Sequence, residues 1–121
     1  MYKKYFVTGA TGFLGKAVVQ RLLTKAADIY ALVMKDDPLA GTLPNGIHVC
    51  MGNVCDPSSL DSFLNGADGQ SCVIHCAGIV SVASRPGEQL YKVNVGGTKN
   101  IVSACISHSV GKLVYVSSVH A

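Results

Sequence analysis

A chain of 121 residues, 49% hydrophobic and 14% charged, has the apolar material for one well-buried domain and lacks the charge density of a disordered one. Its net charge of +3 comes from scattered Lys and Arg, Trp is absent, and no basic run marks a nucleic-acid or membrane patch. Mean hydropathy is high at +0.35, yet no apolar run approaches the ~20 residues of a membrane span.

The five cysteines are odd in number and form no CxxC pair, so the spacings of a zinc site are missing and no metal is expected. Free thiols in a reducing, cytoplasmic setting are the expectation. No signal peptide is read at Met1-Tyr2-Lys3-Lys4.

Taken in chain order, Tyr5-Phe6-Val7 is a short apolar run stopped by Thr8-Gly9, a buried strand. Residues 13–25 follow a 3.6-residue period, with Leu14, Val18 and Leu22 on the inner face and Val19 and Leu23 beside them. Ile29 to Met34 is a second strand, residues 36–46 a loop, and Ile47 to Met51 a third strand. Asp56-Pro57 opens a helix, with Asp56 as N-cap and Pro57 in the first turn. Cys72 to His75 is a fourth strand. A long helix is expected from about Glu88 to His108, with Leu90, Ile101 and Ala104 inward, and Leu113 to Val116 is a fifth strand. Apolar strands alternating with helices predict a Rossmann-like, doubly wound parallel sheet of order 3-2-1-4-5, with ligand space at the carboxyl ends of strands one and four.

The strongest chemical signal is Val7-Thr8-Gly9-Ala10-Thr11-Gly12-Phe13-Leu14-Gly15. Gly9 turns the chain, Gly12 lets backbone approach a pyrophosphate, and Gly15 lets the following helix pack close to the sheet. Free N–H groups near Phe13 and Leu14 then face a diphosphate along the helix dipole. A turn of this kind between a strand and an amphipathic helix reads as a dinucleotide site.

The spacing resembles the TGxxGxxG form of the short-chain dehydrogenase/reductase superfamily, in its extended branch of epimerases, dehydratases and reductases. Gly52-Asn53-Val54-Cys55-Asp56 resembles that family's GDhxD element, and Val73-Ile74-His75-Cys76-Ala77-Gly78 its VIHxAG element. Asn94-Val95-Gly96-Gly97-Thr98 resembles NVxGT, and Val114-Tyr115-Val116-Ser117-Ser118 resembles the hhhSS strand end. The VIHCAG and NVGGT elements look like the dihydroflavonol-reductase and 3β-hydroxysteroid-dehydrogenase neighbourhood.

The resemblance implies a role for each matching residue. Gly9, Thr11, Gly12, Phe13, Leu14 and Gly15 would hold the pyrophosphate, Asn53 and Val54 would meet adenine, and Ala77 and Gly78 would line the nicotinamide ribose. Ser118, with Ser117 as neighbour, would hydrogen-bond the reacting carbonyl or hydroxyl, and Asn94 would sit in the helix under the active site. His75 reads as a packed, hydrogen-bonded core residue, and Cys76 as a small buried one.

The cofactor implied is NAD(P). The family's usual acidic position falls on Val33, while Lys35 is close enough to meet a 2′-phosphate, which tips the reading toward NADP; Asp36 is the competing carboxylate. The family's Tyr-x-x-x-Lys pair has no match in residues 1–121, so they are expected to form a single NAD(P)-binding domain, the N-terminal portion of a longer enzyme and inactive alone. Hydride transfer on a hydroxyl or carbonyl group of a small-molecule substrate is the expected chemistry. A non-catalytic nucleotide-sensing module is the alternative, and a homodimer through the long helix is an analogy from the family.

Overall fold

The computed structural model describes residues 2–76 and 95–116. Ala77, Gly78, Leu90, Asn94, Ser117 and Ser118 lie outside them, as does the first part of the long helix expected from Glu88. In chain order the elements are β1 (Lys4–Thr8), α1 (Phe13–Leu22), β2 (Asp28–Val33), a short 3-10 turn (Ala40–Thr42), β3 (Ile47–Met51), α2 (Pro57–Phe63), β4 (Ser71–His75), α3 (Gly97–Ser107) and β5 (Lys112–Tyr115). The strands form one parallel sheet in the order β3-β2-β1-β4-β5. That is the expected doubly wound order.

Alternation along the strands builds a core on each face of the sheet. Tyr5 and Val7 of β1 join Ile29, Ala31 and Val33 of β2 beneath Val19 and Leu22 of α1. Phe6 faces the other way, with Leu32, Val73, Leu60 and Phe63 of α2, and Ile101 and Cys105 of α3. Phe6 stacks on Tyr30 at 4.7 Å and meets the edge of Phe63 at 5.4 Å, so one central-strand ring links β2 to α2.

Several boundaries differ from expectation, each for a local reason. Helix α1 stops at Leu22 rather than near 25, because the Thr24 hydroxyl donates to Arg21 O and the Thr24 and Lys25 N–H groups make tighter turn bonds to Arg21 O and Leu22 O. Its buried face runs through Gly15, Val19 and Leu22, whereas Leu14 and Leu23 are exposed. Bringing Gly15 against the glycine turn rotates Leu14 outward. Strand β2 ends at Val33, and Met34 opens a turn closed by Asp37 N–H to Met34 O. Asp56 caps α2 as expected, its carboxylate accepting from Ser58 N–H at 3.1 Å.

Candidate functional site

The glycine turn leaves β1 at its carboxyl end, in the centre of the sheet and at the point where strand order reverses between β1 and β4. Gly9 has a φ of 70°, the left-handed region that glycine enters without penalty. The turn closes with Gly12 N–H donating to Gly9 O at 3.1 Å. A Cβ on Gly15 would stand 1.9 Å from Gly9 O, so no other residue fits the crossing of helix and turn. A Cβ on Gly12 would meet only Gly9 O, at 3.4 Å, leaving that side of the turn open.

Helix α1 begins at Phe13 with no side-chain cap and no acidic residue in its first turn. Its leading N–H groups and the positive end of its dipole therefore present an anion-favouring surface beside Gly12. Phe13 is 97% exposed at this corner. The residues fit a diphosphate: the side of the turn left open at Gly12 meets an uncapped helix start.

Next to this turn, the chain leaving β2 brings in a group that the sequence reading passed over. Thr11 Oγ1 donates to Asp37 Oδ2 at 2.7 Å, while Asp37 Oδ1 accepts Leu39 N–H at 2.8 Å. Asp37, the neighbour of Asp36, is the carboxylate bound to the glycine turn. The Asp37-Pro38 pair was the available signal, since Asp before Pro is typical of a turn. Val33 is buried, and Lys35 is exposed within the Met34–Asp37 turn.

Beyond β3, the Asn53 side-chain Oδ1 accepts Cys55 N–H at 2.9 Å, while the Asn53 backbone N–H donates to Ser59 Oγ and its backbone carbonyl accepts from that hydroxyl. Val54 is buried in the core beneath that loop, and its carbonyl accepts from Asn100 Nδ2 at 2.9 Å.

At the end of β4, His75 is fully buried. Its Nδ1 is hydrogen-bonded to Thr8 Oγ1 across 2.6 Å, its Nε2 to Thr98 Oγ1 across 3.3 Å, and its ring stacks on Tyr115 at 5.5 Å. Burial lowers its pKa to about 4, so the imidazole is neutral at ordinary pH. This is the hydrogen-bonded core histidine that the sequence predicts. Cys76 departs from expectation in being only half-buried, and desolvation raises its thiol pKa. Among the described residues, no group of three or more His, Cys, Asp or Glu is arranged to hold a metal ion. No helix among them is long and apolar enough to cross a membrane.

Residues 6–121 match the model of the 3-beta hydroxysteroid dehydrogenase/isomerase family. The chain belongs to that family. It is 39% identical over 119 residues to uncharacterized protein 052L of Frog virus 3 (isolate Goorha), covering 95% of this chain and 33% of that protein. It is 34% identical over 121 residues to the 3 beta-hydroxysteroid dehydrogenase/Delta 5-->4-isomerase of Monkeypox virus, covering 97% and 34%. Among solved structures, it resembles a short-chain dehydrogenase/reductase superfamily protein from Agrobacterium tumefaciens with bound NAD. That likeness has a TM-score of 0.77 and 27% identity, covering 95% of this chain and 32% of the other. The chain thus spans about a third of the length of the curated relatives it matches. The 3-beta hydroxysteroid dehydrogenase family accords with the extended-branch motifs and with the neighbourhood suggested by VIHCAG and NVGGT.

Proposed function

We propose that residues 1–121 form the NAD(P)-binding domain of a longer 3-beta hydroxysteroid dehydrogenase-type enzyme that oxidises or reduces a hydroxyl or carbonyl group of a small molecule. The observation that carries this reading is the cradle of Gly9, Gly12 and Gly15 at the uncapped start of α1. Phe13 and Leu14 would offer backbone N–H groups to the pyrophosphate, Gly12 would let it approach the turn closely, and Thr11 stands on the turn beside them. The remaining Asn53 amide donors and the Val54 loop would meet adenine, and Ala77 and Gly78 the nicotinamide ribose. When bound, the nicotinamide supplies or accepts the hydride. Ser118, with Ser117 next to it, would orient the reacting oxygen by hydrogen bonding, and Asn94 would support that end of the site. An alcohol does not titrate near neutral pH, so these residues alone turn over nothing.

Lys35 would meet a 2′-phosphate as an exposed point charge, which favours NADP. A second reading, NAD, is favoured by the Asp37 carboxylate held on the glycine turn by Thr11, since it would accept from a ribose hydroxyl and repel a phosphate. The five free cysteines suit a reducing cytoplasm. Two copies would pair through α3, whose outer side exposes Val102 and Ile106; sedimentation of the wild type against Ile106→Lys tests this.

Calorimetric titration with NAD and NADP is the deciding experiment for the domain. Saturable binding of either supports the reading. Binding of neither at millimolar nucleotide ends it.

A further inference from the structure

His75 joins parts of the molecule that are distant in sequence. Its ring lies between Thr8, the last residue of β1, and Thr98, in the first turn of α3. The register pairs Thr8 with His75 directly, and Cys76 N–H donates to Thr8 O at 3.1 Å. Both the side chain and the carbonyl of Thr8 are therefore held by consecutive residues at the end of β4. Thr8 immediately precedes Gly9, whose left-handed φ sets the direction of the glycine turn. On the far side, β5 stacks Tyr115 on the ring, and Val116 N–H donates to His75 O at 3.0 Å.

A purely space-filling residue at this position would have no need of nitrogen atoms. A neutral imidazole has one N–H and one acceptor nitrogen, and two hydroxyls that can each donate or accept satisfy both. Buried polar groups in such an arrangement favour one geometry, because turning the ring away leaves its buried nitrogens without these partners. Here the geometry favoured is that of the strand end from which the cradle springs.

We propose that His75 is a positioning residue for the phosphate cradle, its ring hydrogen bonds holding Thr8 at the base of the glycine turn and tying that base to α3. This rests on the reading of the turn as a nucleotide site. The dependence is on the hydrogen bonds of the ring and not on its volume, which separates the role from ordinary core packing. The bond to Thr8 carries the cradle; the bond to Thr98 keeps the ring from rotating away.

The test uses His75→Phe, which keeps a planar ring and loses both bonds, and His75→Asn, whose amide sits near the Nδ1 position and can still reach Thr8. Amide exchange is read without nucleotide at Gly12, bonded within the turn, and at Leu64, bonded to Leu60 O at 3.0 Å at the C-terminal cap of α2. NAD and NADP affinities are read separately. His75→Phe is expected to speed exchange at Gly12 by about tenfold and weaken nucleotide binding by about tenfold, with Leu64 unchanged. His75→Asn is expected to recover most of both. Wild-type exchange at Gly12 in the Phe variant overturns the proposal, as does equal acceleration at Leu64 or an Asn variant no better than Phe. If His75→Phe does not fold, Thr8→Val removes the same bond from its other end and is judged by the same outcomes. A wild-type chain that binds neither nucleotide overturns the functional half, while Gly12 exchange still decides whether the ring holds the turn.

Discussion

Thr11 and Asp37 are 26 residues apart in sequence and 2.7 Å apart in space, joining the glycine turn after β1 to the turn after β2. The bond places a carboxylate against a loop whose other features all favour an anion. The two effects oppose each other only at the edge of the cradle, where a nucleotide's ribose would approach. If the turn holds a nucleotide as proposed, cofactor choice would be a contest between Asp37 on the turn and Lys35 two residues before it.

Lys35→Ala is expected to weaken NADP by a few fold at low salt and leave NAD unchanged, since an exposed ammonium is a screened point charge. Asp37→Asn is expected to shift the ratio of affinities the other way, toward NADP, while keeping an acceptor for Thr11. Titrations at two salt concentrations check both. Unchanged ratios in both variants would remove this pair from the account of selectivity.

Gly12→Val is expected to fold normally, because its Cβ meets only Gly9 O at 3.4 Å and its φ of −74° suits any residue. The branched side chain would stand where a pyrophosphate must approach, so nucleotide affinity should fall at least about tenfold, or about 1.4 kcal/mol. A thermal melt and a nucleotide titration on the same sample check the two halves together.

Gly15→Ala should behave in the opposite way and fail by instability. Its methyl would be forced to 1.9 Å from Gly9 O, and α1 must move off the turn to admit it. Overpacking of this kind costs about 1–3 kcal/mol, read as a lower midpoint in urea unfolding.

Stability should depend on pH through His75. Folded, the ring stays neutral down to about 4; unfolded, it takes a proton below the ordinary 6.5. Between those values the unfolded chain binds more protons, so the stability from the neutral ring is full above 6.5 and drains away as pH falls toward 4. The gap corresponds to an upper limit on the order of 3 kcal/mol. Urea titrations of the wild type and His75→Asn from pH 7.5 to 4.5 check it, the wild type showing the steeper loss.

The sheet order was legible because each strand is a short apolar run bounded by turn residues, and because three glycines at fixed spacing admit few backbone paths. The Asp56 cap was equally plain, since Asp-Pro before a helix leaves little else to do. What escaped was contact across the fold. Nothing in the spacing of Thr11 and Asp37 says that the turn after β2 folds back onto the one after β1. The core position of His75 was readable, but its partners Thr8 and Thr98 come from elements 67 and 23 residues away. Leu14 misled for a related reason: helical periodicity alone does not know that Gly15 must face the turn.

The place of β1 in the middle of the sheet has a consequence for the nascent chain. Strands β1, β2 and β3 can pair once residue 51 has left the ribosome, and they then form three of the five strands of the sheet, with the backbone of β1 open along one side. That side is closed by β4, at residues 71–75. Until those residues leave the ribosome, the unpaired edge of a central, buried strand is exposed to any other extended chain nearby. Slow translation between residues 51 and 75 should therefore favour aggregation, and a chaperone that shields strand edges should matter most in that interval.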